Sequence, residues 1–416
     1  MLFRGRLARA SIWLFTANLA TGIFGYAYQI IMGRMLTPAD YGLLSALVAL
    51  GVILPVPLGA GIMILTRKFA EYSAHGDGGR ITDLWNVSRR WINYGGAIFL
   101  LLFLMLAAEI SDYLGVPSKG LLWLLGAWVL VYFFIVPDSA LLQGMQAFGW
   151  YGGGTAVATA VKIVASIGLV WAGYGIYGAL WALLVAGVVM WGLFSYGARA
   201  FRLVPPAPGR HRFLLRDTLP IVAATAAFTI MTQLDVVLVR HYFGPHEAGV
   251  YAAAAALGKA VMYLPGAIAI ALFPMVAEND AKSVGSAPLL IQAVLLVGVL
   301  SGSGALIFVF FPDFLIHLLY GRAYEGAVEV LRYFGFAMLP MALVMVAEHF
   351  LIAKGRVLFV YLFAIIAPLQ IVAVYFFHET LFDIVKVLIA CGTLLMVLGY
   401  SVLWREYRKG VPPVRR

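Results

Sequence analysis

Three basic side chains lie deep inside apolar stretches of the sequence, namely Lys162, Lys259 and Arg332. A charge inside a membrane helix costs roughly 2.5–3.5 kcal/mol on insertion scales, so such residues usually face a water-filled cavity and a partner. Cations in this setting suit the attraction of phosphate groups, and the forked guanidinium of Arg332 can bind a phosphate through two hydrogen bonds.

Lys162 belongs to a polar stripe that also contains Thr155, Thr159 and Ser166. The spacing of these residues places them on one face of a helix. We predict that Thr159 and Lys162 contact a substrate. The alternative is that Lys162 pairs with a carboxylate or with helix carbonyls and only holds helices together.

The other two cations have similar alternatives. Lys259 is predicted to contact the same substrate, but a structural ion pair or snorkelling of its ammonium to the interface would also account for it. Arg332 follows Glu329 by three residues, so the two side chains can form an ion pair on the surface of one helix. Cavity function and this ion pair both remain open for Arg332.

Asp235 is the carboxylate expected in the outer third of the seventh span. It is predicted either to couple transport, by carrying a proton or holding sodium, or to act as a counter-charge for Lys259 or Arg240. The pattern does not choose between these roles.

Four further polar residues have positions that suggest a role. Asn18 and Gln29 share one face of the first span and are predicted to contact sugar hydroxyls, although hydrogen bonds between helices explain them equally well. Arg34 and Arg240 lie at the outer ends of the first and seventh spans. They are predicted to form an outer gate, with simple anchoring of helix ends as the alternative.

These residues sit in a chain whose composition is that of a membrane protein. Hydrophobic residues make up 63% of the 416 and charged residues 12%, against about 45–50% and about 25% in soluble domains. The net charge of +10 comes from basic residues in short loops, which argues against a nucleic-acid surface. The single cysteine, Cys391, excludes a disulfide within the chain.

The apolar runs predict an all-α protein with twelve transmembrane helices. Each run approaches or exceeds the length of about 20 residues that crosses the hydrocarbon layer. The predicted spans are 10–33, 40–66, 90–111, 118–142, 151–173, 176–199, 217–242, 247–276, 286–312, 324–352, 356–377 and 382–404. With the N-terminus inside, 21 of the 29 basic residues face the cytoplasm, so both termini are predicted to be cytoplasmic.

The chain is predicted to consist of two lobes of six helices. Residues 1–200 form the first lobe and residues 217–404 the second, with a cytoplasmic linker at 201–216 and a basic cytoplasmic tail at 405–416. At an offset of 207 residues, Pro38 matches Pro245, Asp40 matches Glu247 and Gly42 matches Gly249. We interpret this as a parallel internal repeat, which typically places the substrate at the interface of two bundles that rock around it.

The segment 18–42 resembles the opening of bacterial polysaccharide (O-antigen type) flippases. These are polysaccharide biosynthesis transporters of the multidrug/oligosaccharidyl-lipid/polysaccharide exporter (MOP) superfamily. Shorter matches to the same family recur along nearly the whole chain, at 143–148, 233–235, 244–245, 320–325, 330–332 and 353–356. The resemblance implies a two-lobed fold of twelve helices. It also implies flipping of undecaprenyl-pyrophosphate-linked oligosaccharide for O-antigen, capsule or exopolysaccharide.

The expected function is therefore transport by alternating access in the bacterial cytoplasmic (inner) membrane, without enzymatic activity, cofactor or metal. The expected partners are the polyprenyl-pyrophosphate-linked oligosaccharide, membrane lipids, a coupling H⁺ or Na⁺ and polysaccharide assembly proteins, but no nucleic acid. One alternative is a cation-coupled multidrug and toxin extrusion antiporter, which would need an acidic cavity. Another is a membrane glycosyltransferase or polymerase that uses the same lipid carrier and would need a sizeable outer loop.

Overall fold

A computed structural model describes residues 22–207, 209, 215–263, 265–266, 287–353 and 358–408. All regular elements in these ranges are helices, as the apolar runs predict. The first half contains α1 (22–35), α2 (Pro38–Ile53), α3 (Val56–Ala74), α4 (Gly78–Met105), α5 (Ala107–Leu114), α6 (Lys119–Gly144), α7 (Phe148–Leu169) and α8 (Gly175–Ala198). The second half contains α9 (Leu215–Tyr242), α10 (Pro245–Gly258), α11 (Ala287–Phe310), α12 (Pro312–Leu319), α13 (Ala327–Ala353), α14 (Leu358–Phe376) and α15 (Leu381–Arg408).

The starts of α2 and α10 show why the two matching motifs fold as they do. Each helix has proline in its first turn, where a backbone N–H would have no partner within the helix, so its absence costs no hydrogen bond. The Thr37 hydroxyl accepts a hydrogen bond from the Asp40 N–H, and the Glu247 carboxylate accepts one from the Gly244 N–H at 3.1 Å. A carboxylate near the positive end of each helix adds to the stability of both starts.

Helices α7 and α8 form a hairpin. A short π-helical turn, Val170–Tyr174, joins them, and the two helices pack on each other. Gly173 and Gly175 have φ of +91° and +51°, a left-handed conformation that glycine adopts without the steric penalty of a side chain. The apolar stretch Phe148–Phe201 has 54 residues, or about 80 Å of helix, and therefore contains two membrane-length helices.

The chain is a multi-pass membrane protein. Seven described helical stretches are long and apolar enough to cross a bilayer, and an eighth is added if α4 and α5, bent by 55°, count as one span. Two of the seven contain more than one helix, namely Pro38–Ala74 and Phe148–Phe201. The all-α membrane fold is thus as predicted, and the number of twelve spans and the parallel repeat are compatible with it but stay predictions.

Contacts divide the chain into two compact units, Met1–Val222 and Ala223–Arg416. In the first unit α6 packs against α3, α4 and α8, and in the second α13 packs against α10, α11 and α15. Val204, Pro205 and Ala207 lie in the predicted linker and contact the start of α4, where the Ala207 N–H donates to the Gly79 carbonyl at 3.0 Å. The predicted lobe and linker boundaries stay predictions.

Candidate functional site

Lys162 lies on α7 with its ammonium against an aromatic ring of α1. Its Nζ is 4.6 Å from the centroid of the Tyr28 ring, inside the range of about 6 Å in which a ring face attracts a cation. The side chain is half-buried, and among the described residues no carboxylate lies within ion-pair distance of it. The positive charge is therefore stabilised by an aromatic ring and not by a described carboxylate, so it can still bind an anion.

Two hydroxyl groups next to this ammonium lack hydrogen bonds. Tyr28 and Ser166 are 3% and 0% exposed, and neither hydroxyl has a hydrogen-bond partner among the described residues. The Ser166 side chain lies beside the Tyr28 hydroxyl and interacts with it electrostatically. An unsatisfied buried polar group costs about 1–3 kcal/mol, so both hydroxyls favour a ligand that accepts hydrogen bonds.

The two threonines of the same stripe are already engaged. The Thr159 hydroxyl donates to the Thr155 carbonyl at 2.8 Å, and the Thr155 hydroxyl donates to the Tyr151 carbonyl at the same distance. Each hydroxyl oxygen can still accept a hydrogen bond, but its proton is used within α7. Contact between Thr159 and substrate stays a prediction, limited to the acceptor role.

The remaining polar residues of the first span have different positions. The Tyr41 hydroxyl donates to Gln29 Oε1 at 3.4 Å, which links α1 to α2 and matches the alternative of a hydrogen bond between helices. Arg34 is exposed near the end of α1. Asn18 lies outside the described residues. The sugar contacts of Asn18 and Gln29 and the gate role of Arg34 stay predictions.

Lys259 and Asp235 form a buried ion pair in the second unit. Lys259 Nζ is 2.9 Å from Asp235 Oδ1, and their side chains are 8% and 1% exposed. The Tyr251 hydroxyl donates to the other carboxylate oxygen at 3.0 Å. This is the counter-charge arrangement that the sequence left open for Asp235. Substrate contact by Lys259 and ion coupling by Asp235 stay predictions.

Arg332 and Arg240 differ sharply in burial. Arg332 is exposed on α13, and in the described part of the chain it forms no ion pair with Glu329, which is exposed as well. The guanidinium of Arg332 is therefore available for other contacts. Arg240, near the end of α9, is buried. The substrate contact of Arg332 and the gate role of Arg240 stay predictions.

The described arrangement in the first unit suits an anion with several acceptor oxygens. Lys162 supplies a charge, and Tyr28 and Ser166 supply two hydroxyl protons. The described part of the chain contains no cluster of three or more histidine, cysteine, aspartate or glutamate side chains that could hold a metal ion.

Sequence reasoning missed two features of the first unit. It passed over Tyr28, because a tyrosine in an apolar run gives no pattern of its own. It also did not single out Asp138, which lies near the end of the predicted span 118–142. Asp138 is 3% exposed, and it accepts hydrogen bonds from the Trp85 indole N–H at 2.9 Å and from the Ser195 hydroxyl.

Comparisons with known proteins agree with the fold and the predicted family. The family described as "Polysaccharide biosynthesis protein" matches residues 7–280. A search of curated proteins gives no match. Three solved structures illustrate the fold, and all are under 25% identical, so they show the fold alone.

Two of these structures are MATE family multidrug resistance transporters of the MOP superfamily. The inward-facing one has a TM-score of 0.72 and 14% identity and covers 93% of this chain and 94% of its own. The outward-facing one has a TM-score of 0.67 and 16% identity, with 96% and 94% covered. The third is the lipid II flippase MurJ in an inward closed conformation, with a TM-score of 0.71, 12% identity and 96% and 93% covered.

The family match spans more than half of the chain, and the structural matches cover nearly all of it. The earlier resemblance is thereby confirmed. The chain belongs to the polysaccharide biosynthesis protein family and has the fold of MOP superfamily transporters.

Proposed function

We propose that the protein is a flippase that moves undecaprenyl-pyrophosphate-linked oligosaccharide across the bacterial cytoplasmic membrane by alternating access. The transported lipid would serve the synthesis of O-antigen, capsule or exopolysaccharide. Family membership supports a role in polysaccharide biosynthesis. The fold shared with a lipid II flippase supports transport of a lipid-linked substrate rather than enzymatic activity. Both termini are proposed to be cytoplasmic.

The observation that carries the proposal is the Lys162 ammonium on the Tyr28 ring, with two hydroxyls beside it that have no described partner. A pyrophosphate has only acceptor oxygens and a negative charge. It would satisfy the two hydroxyls and supply the counter-charge that Lys162 lacks among the described residues. Charge-assisted hydrogen bonds of this kind are about twice as strong as neutral ones.

Lys259 is proposed to act after Lys162 in the mechanism. Its ammonium is bonded to Asp235, so it is proposed to contact phosphate only after a proton or Na⁺ neutralises Asp235. Arg332, which is exposed, is proposed as a third phosphate contact. Asn18, Gln29 and the Thr159 oxygen are proposed to bind sugar hydroxyls. Arg34 and Arg240 are proposed to act at an outer gate.

A multidrug antiporter is the second candidate because two of the solved structures with this fold are multidrug resistance transporters. The charges oppose it. Of the three buried carboxylates among the described residues, Asp138 accepts hydrogen bonds on both oxygens and Asp235 is paired with Lys259, so only Glu348 is left to bind a cationic drug. Lys162 would repel such a drug.

Reconstitution tests the proposal directly. The purified chain is placed in liposomes that contain a fluorescent undecaprenyl-pyrophosphate oligosaccharide, and the fraction exposed on the outer leaflet is followed over time. We expect exchange between leaflets that empty liposomes do not show. Efflux of a cationic dye without any movement of the lipid-linked sugar would favour the antiporter. Elongation of the sugar would favour a polymerase.

A further inference from the structure

A small cavity lies between α4, α6 and α8, away from Lys162. Its volume is about 190 Å³, and it is lined by Arg89, Asn93, Phe134 and Trp191. Water occupies about 30 Å³ per molecule in the liquid, so the cavity holds the equivalent of about six waters. This is below the usual range for drug-sized ligands, about 300–1,000 Å³, and suits a small polar headgroup.

Two polar side chains line this cavity, and among the described residues one lacks a hydrogen-bond donor and the other lacks a carboxylate partner. Asn93 Oδ1 is buried and accepts no hydrogen bond from any described residue. Arg89 lies one helical turn earlier on the same face of α4, with its guanidinium carbon 5.0 Å from the centroid of the Trp85 ring. Among the described residues no carboxylate lies within ion-pair distance of Arg89. The cavity thus presents a cation that has an aromatic partner but no described carboxylate, and an acceptor that has no described donor.

The walls of the cavity are aromatic. The Phe134 and Trp191 rings pack against each other with centroids 5.6 Å apart. Trp91 and Tyr94, on the same part of α4, are exposed and pack edge to face. Exposed tryptophan and tyrosine in a membrane helix mark the level of the lipid headgroups, so the cavity opens where phospholipid phosphates lie.

We propose that this cavity binds the phosphoglycerol head of an anionic phospholipid, with Arg89 holding the phosphate and Asn93 accepting a hydrogen bond from a headgroup hydroxyl. Basic pockets between membrane helices commonly recognise anionic headgroups. Phosphatidylcholine does not meet the requirement, because it has no net charge and its headgroup has no donor for Asn93. Phosphatidylglycerol has both features.

The site is independent of the flippase function. Lipid binding is measured on the purified chain without transport, so failure of one proposal leaves the other intact. The proposed orientation of the chain determines only which leaflet supplies the lipid. With cytoplasmic termini, it is the cytoplasmic leaflet.

Native mass spectrometry tests the site. The full chain in detergent is titrated with short-chain phosphatidylglycerol or with phosphatidylcholine of the same chain length. We expect phosphatidylglycerol to bind about tenfold more tightly, because it alone brings a net negative charge to Arg89 and a hydroxyl donor to Asn93. Arg89→Gln and Asn93→Leu should each lower its affinity about tenfold. The matched controls, Arg90→Gln and Asn86→Leu, change exposed residues of α4 outside the cavity and should leave the affinity within about twofold.

A thermal unfolding measurement without added lipid separates ligand binding from a structural role. Asn93→Leu should be at least as stable as the wild type, because an apolar side chain replaces an unsatisfied buried amide. If Asn93→Leu does not fold, the affinities of Arg89→Gln and Arg90→Gln for phosphatidylglycerol are sufficient to test the proposal. Equal affinity of these two variants for phosphatidylglycerol would overturn the proposal. So would displacement of the lipid by equimolar inorganic phosphate or polyprenyl pyrophosphate, because either result assigns the cavity to another ligand.

Discussion

Lys259 and Asp235 lie on neighbouring helices with their charged atoms 2.9 Å apart, and both side chains are almost fully buried. Lys259 caps the C-terminus of α10, where a cation also complements the negative end of the helix. Asp235 is held on its other oxygen by the Tyr251 hydroxyl. The charge of Lys259 is therefore neutralised by a carboxylate in the second unit, whereas the charge of Lys162 is stabilised by the Tyr28 ring.

The first prediction concerns this ion pair. Lys259→Met and Asp235→Leu should each lower the free energy of unfolding by about 3–5 kcal/mol, because each leaves an uncompensated buried charge. The double variant should recover most of that loss, since it removes both charges. Unfolding of the four proteins in detergent gives the coupling energy. A double variant as unstable as the sum of the two single variants would show that the pair has no such role.

The second prediction concerns the two hydroxyls beside Lys162. Tyr28→Phe keeps the ring under the ammonium, and Ser166→Ala keeps the close packing of α7. Both variants should be as stable as the wild type or more stable, because each removes an unsatisfied buried group. Both should slow flipping of the lipid-linked sugar about tenfold, since the pyrophosphate loses a donor. Tyr174→Phe, at an exposed tyrosine, is the matched control. Unchanged flipping in both variants would exclude the hydroxyls from the site.

The stripe on α7 was readable from the sequence because its residues follow the period of a helix. Its partner Tyr28 was not, because the contact depends on how α1 packs against α7. The pairing of Lys259 with Asp235 was left open for a similar reason. The two residues are 24 apart in the chain, and only the packing of α9 against α10 decides which charge meets which.

The third prediction concerns Asp138. Asp138→Leu should destabilise the chain by about 2–4 kcal/mol, because it leaves the Trp85 indole N–H and the Ser195 hydroxyl without an acceptor. Asp138→Asn keeps one acceptor oxygen and should cost about half as much. Thermal unfolding in detergent measures both. Asp112→Asn, at an exposed carboxylate, should have no effect. Equal stability of Asp138→Leu and this control would refute the network.

Asp138 also shows where sequence reasoning fails. It lies near the end of the predicted span 118–142, and position along the span alone would suggest nearby water. In the fold, Trp85 from α4 and Ser195 from α8 cover it, and the Arg202 guanidinium lies 4.0 Å from the Trp85 ring centroid. Distance along a helix predicts depth in the membrane, but burial depends on which neighbouring helices pack over the residue.

The fourth prediction concerns the contact between residues 204–207 and the start of α4. A Cβ on Gly79 would lie 2.8 Å from the Ala207 Cβ, so Gly79→Ala must displace the segment. Cleavage by trypsin after Arg202 should then become roughly threefold to tenfold faster, because local release exposes the chain to protease. Gly149→Ala, at a position with open space, is the control. Equal cleavage rates in the two variants would contradict the contact.

The most direct test of the central claim is the initial rate of flipping of labelled undecaprenyl-pyrophosphate oligosaccharide by Lys162→Gln in proteoliposomes with matched protein content. Lys119→Gln removes an equal charge at an exposed position of α6 and serves as the control. A rate at least about tenfold below wild type is predicted for Lys162→Gln, with Lys119→Gln unchanged and Lys162→Arg between them. Wild-type flipping by Lys162→Gln would contradict the claim that this ammonium holds the pyrophosphate.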